Sequence, residues 1–116
     1  MEEITMKKYI DLWEYAGIIS EQVSKAALVT TQADGEVNTM TIGWGTIGIE
    51  WLRPMFVAYV RESRYTHKLL DANPEFTVNC PMGEIDKRIL GFCGTKSGRD
   101  VDKIKELGLH LEEPLH

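Results

Sequence analysis

Apolar residues recur at helical spacing in some segments of the chain and at strand spacing in others. Within residues 6–16 they lie three or four positions apart, which predicts a short amphipathic helix. Residues 26–31 and 37–42 are typical of two neighbouring strands. Further strands are predicted over residues 55–61 and 75–79, and further helices over residues 64–72, 84–92 and 99–107.

Turn residues mark where the strands begin and end. Asp34-Gly35 lies between the first two strands and is a strong hairpin signal. Pro54 has no amide hydrogen to donate to a central ladder, so we expect the next strand to begin at Met55. The apolar residues 56–60 are expected to be buried on both faces of that strand.

Capping residues mark the ends of the later helices. Ser63 is expected to cap the helix over residues 64–72, because its hydroxyl oxygen can accept from an amide of the first turn. Asn73-Pro74 is expected to end that helix, and Gly108 to end the last one. The order of elements predicts a mainly β fold with α, built as a small, strongly curved antiparallel sheet or barrel with short helices at its ends.

Composition narrows the class of protein. A chain of 116 residues with 43% hydrophobic and 27% charged residues supports one domain over residues 1–116. No apolar run approaches the roughly 20 residues that span a bilayer, and the N-terminus lacks an apolar signal core, so we expect a cytoplasmic protein without a membrane partner. The net charge of -5 argues against nucleic-acid binding, whereas local groups of cations suit a small anionic ligand.

The two cysteines carry little functional signal. Cys80 and Cys93 have no second cysteine or histidine at zinc spacing, and we interpret them as buried free thiols. A metal site or a redox pair is the alternative. His67, His110 and His116 are interpreted as surface residues, so no metal ligand and no catalytic residue is assigned.

Three polar clusters beside apolar segments together describe a pocket for a flat ring that carries a phosphate, which points to flavin mononucleotide (FMN). In the first cluster a helix follows directly after an apolar strand. The first-turn amides and the dipole of this helix would attract a phosphate. Ser63 and Thr66 can contribute hydroxyl donors, and Arg64 can contribute a guanidinium. The alternative is an ordinary capped helix with a solvated arginine.

The second cluster lies on a strand, and the third in a glycine-containing loop. Asn38, Thr39, Met40 and Thr41 lead to Trp44, and a strand of this kind can offer backbone groups and apolar contact to a ring; the alternative is an ordinary strand end. The third cluster could close over the phosphate or the ribityl chain, or could simply be a capped helix. Its candidate residues are Ser97, Arg99 and Lys103.

The segment Gly43-Trp44-Gly45-Thr46-Ile47-Gly48 matches the G-x-G-x-x-G pattern of dinucleotide-binding proteins. That motif requires a helix directly after the glycines. Here residues 51–54 interrupt any such helix and a strand is predicted next, so we interpret the glycines as permitting a sharp bend or a close backbone approach.

Taken together, four motifs resemble the flavin reductase-like family of FMN-binding split β-barrels. They are A-D-G-x-x-N-T-M-T-x-x-W-G over residues 33–45, R-P over 53–54, R-x-S-R-Y-T over 61–66 and C-G-x-K-S-G-R-D-V-D-K over 93–103. The resemblance covers about residues 24–111. It implies a split barrel that dimerises and holds FMN, with Asn38, Thr39, Met40 and Trp44 near the ring and Ser63, Arg64 and Thr66 at the phosphate.

The resemblance also implies a further wall of the site and a class of function. Asn79 would join Ser97, Arg99 and Lys103 in that wall. Family members continue with further strands and a segment near the nicotinamide, for which the sequence has no equivalent, so we expect an incomplete barrel. The implied function is an oxidoreductase that passes electrons from NAD(P)H through FMN to free flavin, oxygen, a ferric complex or a redox partner protein. An FMN-binding electron carrier resembling flavoredoxin, and a dimeric scaffold without flavin, remain alternatives.

Overall fold

The computed structural model describes residues 9–81 and 87–111. These residues form a three-stranded antiparallel sheet, a separate two-stranded antiparallel ribbon and four helices. The predicted mixture of a small antiparallel sheet with short helices is confirmed, and the strands of the described residues do not close into a barrel. The elements in chain order are α1 (Leu12–Lys25), β1 (Ala27–Ala33), β2 (Glu36–Ile42), β3 (Gly45–Glu50), β4 (Arg53–Ala58), α2 (Tyr65–Ala72), β5 (Phe76–Asn79), α3 (Lys87–Thr95) and α4 (Lys103–Leu107).

The sheet is built on the predicted hairpin of β1 and β2. Ala33 pairs with Glu36 across a two-residue loop. Asp34 and Gly35 have φ of 52° and 80°, as a type I′ turn requires, and this turn matches the natural twist of the strands. Strand β5 pairs with the other edge of β1, so the order in the sheet is β2-β1-β5.

One face of this sheet carries the hydrophobic core. Residues opposite each other in the register share a face, so Val29, Met40 and Val78 point to the same side. Helix α1 and the base of the ribbon pack on that side. The buried cluster consists of Val23, Ala27, Val29, Met40 and Ile42, with Ile19, Phe56, Ala58, Val60, Val78 and Cys80 packed against it.

The ribbon of β3 and β4, residues 45–58, departs most from the sequence prediction. The glycine-rich segment that becomes β3 was not predicted as a strand, and β4 begins at Arg53 rather than Met55, with Pro54 inside it. Proline is tolerated because a two-stranded ribbon leaves the outer edge of each strand unpaired. The predicted burial on both faces is wrong: Phe56, Ala58 and Val60 are half-buried, whereas Val57 and Tyr59 are exposed. The reason is that nothing among the described residues covers the second face of the ribbon.

The glycine pattern that leads into the ribbon also excludes the dinucleotide-binding interpretation. Gly45–Glu50 is a strand that turns back into β4, not the helix which that motif requires. A side chain at Gly45 would collide with the Phe56 ring, since its Cβ would lie 2.6 Å from Cζ. This glycine therefore permits a close approach between the two strands.

The helices agree with the prediction in number and order but not in their bounds. Helix α1 begins at Leu12, where the Asp11 carboxylate accepts from the Trp13 amide at 3.1 Å; residues 6–8 of the helix predicted over 6–16 lie outside the described residues. Residues 84–86 of the helix predicted over 84–92 also lie outside them. The last helix begins at Lys103 rather than Arg99, because residues 97–101 form a turn. Asn73 caps the end of α2, and Gly108, with φ of 63°, ends α4 as expected.

Candidate functional site

Strand β2 contributes the first group of candidate residues, and its pleat divides them between the two faces of the sheet. Asn38 and Met40 point to the core face, and Met40 belongs to the buried core cluster. Thr39 and Thr41 point to the opposite face. Asn38, Thr39 and Met40 are buried, Thr41 is half-buried, and Trp44, beyond the strand end, is exposed.

A buried hydrogen bond joins β2 to helix α2. The Asn38 amide donates to the Thr66 hydroxyl at 2.9 Å, and both side chains are at most 3% exposed. Gly98 lies against this pair, since a Cβ there would come within 2.5 Å of Asn38 Oδ1 and of the Tyr65 ring. Only glycine fits at this position without a shift of its neighbours. The structure thus brings the three predicted clusters together.

Lys103 forms the second link between the clusters. Its ammonium donates to the backbone carbonyls of Thr39 at 2.9 Å and Cys93 at 3.0 Å, and the side chain is 2% exposed. The Arg64 guanidinium donates to the same Cys93 carbonyl at 3.3 Å. Two cations therefore converge on one carbonyl near the C-terminal end of α3, where the helix dipole favours positive charge.

Burial away from water shifts the pKa values of the side chains in this link. Burial lowers the pKa of Lys103; the neighbouring Cys93 thiol opposes this shift, and Arg64 adds to it. Burial raises the pKa of the Cys93 thiol, an effect that Lys103 partly offsets. In the part of the chain that the structure describes, neither cation forms an ion pair with a carboxylate. Backbone carbonyl oxygens are the acceptors that hold both cations.

Helix α2 begins without a side-chain cap. Its N-cap residue is Arg64, not the predicted Ser63, and no side chain accepts from the first-turn amides. The prediction of Ser63 as the cap is wrong because the helix begins one residue later than expected, at Tyr65. Ser63 is exposed and Arg64 half-buried, so both can be reached from outside.

The loop before α4 folds over this helix start. Arg99 donates to the Ser63 carbonyl at 3.0 Å, and its guanidinium lies 5.5 Å from the centre of the Tyr65 ring. The Ser97 hydroxyl accepts from the Arg99 amide at 3.1 Å, which shapes the loop. The Tyr65 hydroxyl donates to the Glu36 carboxylate. These contacts fix the position of Arg99 beside the uncapped helix.

Asn79 lies apart from the junction, the name used here for the region where β2, α2 and the 97–103 loop meet. Asn79 and Thr41 both pair with Leu28, from opposite sides, so strand β1 separates Asn79 from β2. Trp44 is 64% exposed and stacks under the Arg61 guanidinium, which lies 5.5 Å from its ring centre. The structure thus unites the candidates of β2, α2 and the 97–103 loop, and leaves Asn79 outside.

An open cleft of about 480 Å³ lies beside the junction. Asn38 and Arg99 are the candidate residues that line it, and Tyr65 and Gly98, which the sequence reasoning did not single out, line it as well. The sequence contained a signal for both, because they lie inside the motifs R-x-S-R-Y-T and K-S-G-R-D. The role of the Cys93 carbonyl had no such signal, since every residue has a carbonyl.

Residues 9–81 and 87–111 contain neither a metal site nor a membrane-spanning helix. No group of His, Cys, Asp and Glu side chains there could hold a metal ion. None of the helices in these ranges is both long and apolar enough to cross a membrane.

Comparison with known proteins places the chain in a family. The sequence model of the flavin reductase-like domain matches residues 20–114. No curated protein matches the chain significantly. The FMN-binding domain of a flavin reductases-like enzyme from Shewanella baltica OS155 is similar in structure, with a TM-score of 0.64 and 15% identity over 84% of this chain and 53% of that one.

Flavoredoxin from Methanosarcina acetivorans is also similar, with a TM-score of 0.58 and 26% identity over 89% of this chain and 50% of that one. The chain thus spans about half the length of these solved structures. The family match, which covers most of the chain, shows that the protein belongs to the flavin reductase-like domain family.

Proposed function

We propose that this chain binds FMN at the junction of β2, α2 and the 97–103 loop, with the phosphate at the start of α2. The observation that carries the proposal is the uncapped N-terminus of α2 with Arg64 at its N-cap. First-turn amides without a side-chain cap attract an anion, and a half-buried guanidinium adds a charge-assisted donor. Ser63, exposed beside them, can add a hydroxyl.

The residues of the junction fit this ligand in two different ways. Arg64, Ser63, Thr41 and Trp44 are half-buried or exposed and would contact FMN, the first two at the phosphate and the last two at the ring. Asn38, Thr39, Met40, Thr66 and Lys103 are at most 3% exposed and bind one another or the core, so they would hold the contact residues in place. Ser97 and Arg99, and more distantly Asn79, would form the remaining wall.

We further propose that the protein is an oxidoreductase. Bound FMN would supply the redox chemistry, accepting a hydride from NAD(P)H and passing electrons to free flavin, oxygen, a ferric complex or a partner protein, while the protein supplies orientation and charge. Membership of the flavin reductase-like family supports this class of reaction. The similarity to a protein named flavoredoxin supports a second candidate, an FMN-binding electron carrier without its own NAD(P)H reaction.

Two measurements separate these candidates from each other and from a scaffold without flavin. Steady-state oxidation of NADH or NADPH with added FMN is expected for the oxidoreductase and not for the electron carrier. A flavin spectrum, or a rise in melting temperature with FMN, is expected for both. A protein that shows neither would be a scaffold without flavin.

The phosphate assignment is tested by Arg64→Ala. Loss of a charge-assisted contact should weaken FMN binding by roughly 1.5–3 kcal/mol and leave riboflavin binding nearly unchanged, because riboflavin has no phosphate. Arg53→Ala, which removes an exposed arginine at the end of the ribbon, is the matched control. Equal losses for FMN and riboflavin in the Arg64 variant, measured by fluorescence titration, would remove Arg64 from the phosphate site.

We also propose a homodimer in the cytoplasm, without nucleic-acid or membrane partners. The net charge of -5 disfavours binding to nucleic acid. The two free cysteines are consistent with a reducing compartment. The dimer is supported by the amount of apolar side chain left exposed on the ribbon and on α1.

A further inference from the structure

Arg99 lines the open cleft beside the start of α2 without a carboxylate partner. Its guanidinium donates to the Ser63 carbonyl at 3.0 Å, and among the described residues this is its one hydrogen-bond acceptor. Three carboxylates line the same cleft, yet within residues 9–81 and 87–111 none of them forms an ion pair with this guanidinium. They belong to Glu36, Asp100 and Asp102. Because a guanidinium has five N–H donors, Arg99 keeps donors for an anion.

The Tyr65 ring holds this guanidinium in place. The guanidinium carbon of Arg99 lies 5.5 Å from the ring centre, which is within the range of a cation–π contact. The other neighbour of the ring is Gly98, where a Cβ would come within 2.5 Å of Tyr65 Cδ2. Tyr65 is also the first residue of α2. The ring therefore ties Arg99 to the start of the helix that Ser63 precedes.

The Tyr65 hydroxyl holds one of the three carboxylates. It donates to Glu36 Oε2, at the first residue of β2. A carboxylate that meets an arginine commonly forms two parallel charge-assisted hydrogen bonds, which would occupy the donors of Arg99. The hydrogen bond to Tyr65 instead keeps the Glu36 carboxylate at the phenol. The charge of Arg99 thus stays unpaired because a neighbour holds its nearest competitor from β2.

The other two carboxylates are placed by the loop itself. Asp102 is the N-cap of α4, and its Oδ1 accepts from the Lys105 amide at 3.2 Å. Asp100 follows Arg99 directly, and its amide donates to the Ser97 carbonyl at 3.0 Å within a turn. Glu36 is therefore the cleft carboxylate whose position depends on Tyr65.

We propose that Tyr65 is a positioning residue of the flavin site. Its ring holds Arg99 at the start of α2, and its hydroxyl keeps the Glu36 carboxylate from pairing with that arginine. Arg99 then offers its remaining donors, together with those of Arg64, to the flavin phosphate. This inference rests on the proposed FMN site and adds to it two residues, Tyr65 and Glu36, that set the preference for a phosphorylated flavin.

Fluorescence titration with FMN and with riboflavin tests this role, and the ratio of the two dissociation constants is the readout. The wild-type protein should bind FMN more tightly than riboflavin. Arg99→Ala should reduce this preference about tenfold, since one charge-assisted contact to the phosphate is lost. Tyr65→Phe keeps the ring and removes the hydroxyl. It should reduce the preference about threefold, because the released Glu36 carboxylate can then pair with Arg99.

A second substitution separates positioning from a contribution to folding. Glu36→Gln added to Tyr65→Phe should restore the preference, because a neutral amide cannot neutralise the guanidinium. Glu36→Gln alone should change the preference by less than about twofold, so the restoration depends on both sites. Lys68→Ala is the matched control. It removes the other cation near the Tyr65 ring, 5.8 Å from the ring centre, and should change the preference by less than about twofold.

The outcomes distinguish this inference from the proposed function. A wild-type protein without a preference for FMN would overturn the phosphate site and the role of Tyr65 with it. A wild-type preference that Tyr65→Phe leaves intact, or a loss that Glu36→Gln does not restore, would overturn the role of Tyr65 alone. Riboflavin has no phosphate, so its affinity should be the same in every variant. A loss of riboflavin binding in Tyr65→Phe would show that the hydroxyl supports the fold and would also overturn the positioning role.

Discussion

The two hairpins of this protein have turns of the same backbone geometry but of different residue types. Asp34-Gly35 joins β1 to β2, and Trp51-Leu52 joins β3 to β4; all four residues have positive φ. The first turn has residues that adopt this conformation readily, and its strands form the buried sheet. The second has residues that resist it, and its strands project with apolar side chains exposed.

This contrast shows where the backbone follows the local preferences of its residues and where it does not. In the β1–β2 hairpin, turn residues, strand pattern and core packing favour the same structure, as expected of a segment selected for folding. In the ribbon, the turn residues do not readily adopt the positive φ that the turn requires. A local rule broken without compensation among the described residues is expected at functional sites rather than in segments that only fold.

The largest expected difference between the hairpins is in the free energy of unfolding lost when one methionine of each is replaced by alanine. Met40 on β2 is 3% exposed and Met55 on β4 is 41% exposed. Met40→Ala should lower the free energy of unfolding by about 2–5 kcal/mol, because it leaves a cavity in the core. Met55→Ala should lower it by less than about 1 kcal/mol at concentrations where the protein is monomeric.

Urea unfolding followed by circular dichroism at two protein concentrations checks this pair. If the ribbon is a dimer interface, the effect of Met55→Ala should grow at the higher concentration, whereas that of Met40→Ala should not. Similar effects of both substitutions in the monomer would mean that the ribbon is covered within the protomer.

Substitutions at the turns should change stability in opposite directions. Gly35→Ala should destabilise the protein by about 1–2 kcal/mol through backbone strain alone, since its Cβ would meet no atom within 4 Å. Leu52→Asn should stabilise the monomer by about 0.5–1 kcal/mol, because asparagine tolerates the left-handed conformation. Thermal unfolding of both variants in dilute solution provides the measurement, and a destabilised Leu52→Asn monomer would contradict the strain argument.

The smallest expected effect is a pH dependence that arises where Lys103 of α4 contacts the β1–β2 hairpin. Lys103 anchors the Thr39 carbonyl of β2, and burial lowers its pKa in the folded state. The folded protein therefore binds fewer protons than the unfolded chain between that lowered pKa and the ordinary value of 10.5. Stability contributed by Lys103 should rise with pH through this window.

Comparison with Lys103→Met isolates this contribution. The variant should be less stable at neutral pH, because two buried carbonyls lose their donor, and the difference in unfolding free energy between wild type and variant should widen as the pH rises. Arg53→Met, a change at an exposed cation of the ribbon, should leave the pH dependence unaltered. A difference that stays constant with pH would show that Lys103 does not titrate in this window.

Local signals in the sequence predict the types and order of most elements and the residue types of the candidate site. Asp34-Gly35, Asn73-Pro74 and Gly108 end their elements because their backbone preferences are local. The four motifs also predicted the family, which the match over residues 20–114 confirmed.

The partners of the chemical groups and the covering of the strands depend on long-range packing. Strand β3 escaped prediction because its glycines and the Trp51-Leu52 turn carry no local strand or turn signal. Strand β4 was predicted, but its exposure depends on what packs against the ribbon. The burial of Lys103 was also not predictable from the sequence, because its partners are the backbone carbonyls of Thr39 and Cys93. Backbone carbonyls are common to every residue, so only the fold determines which of them a buried cation will meet.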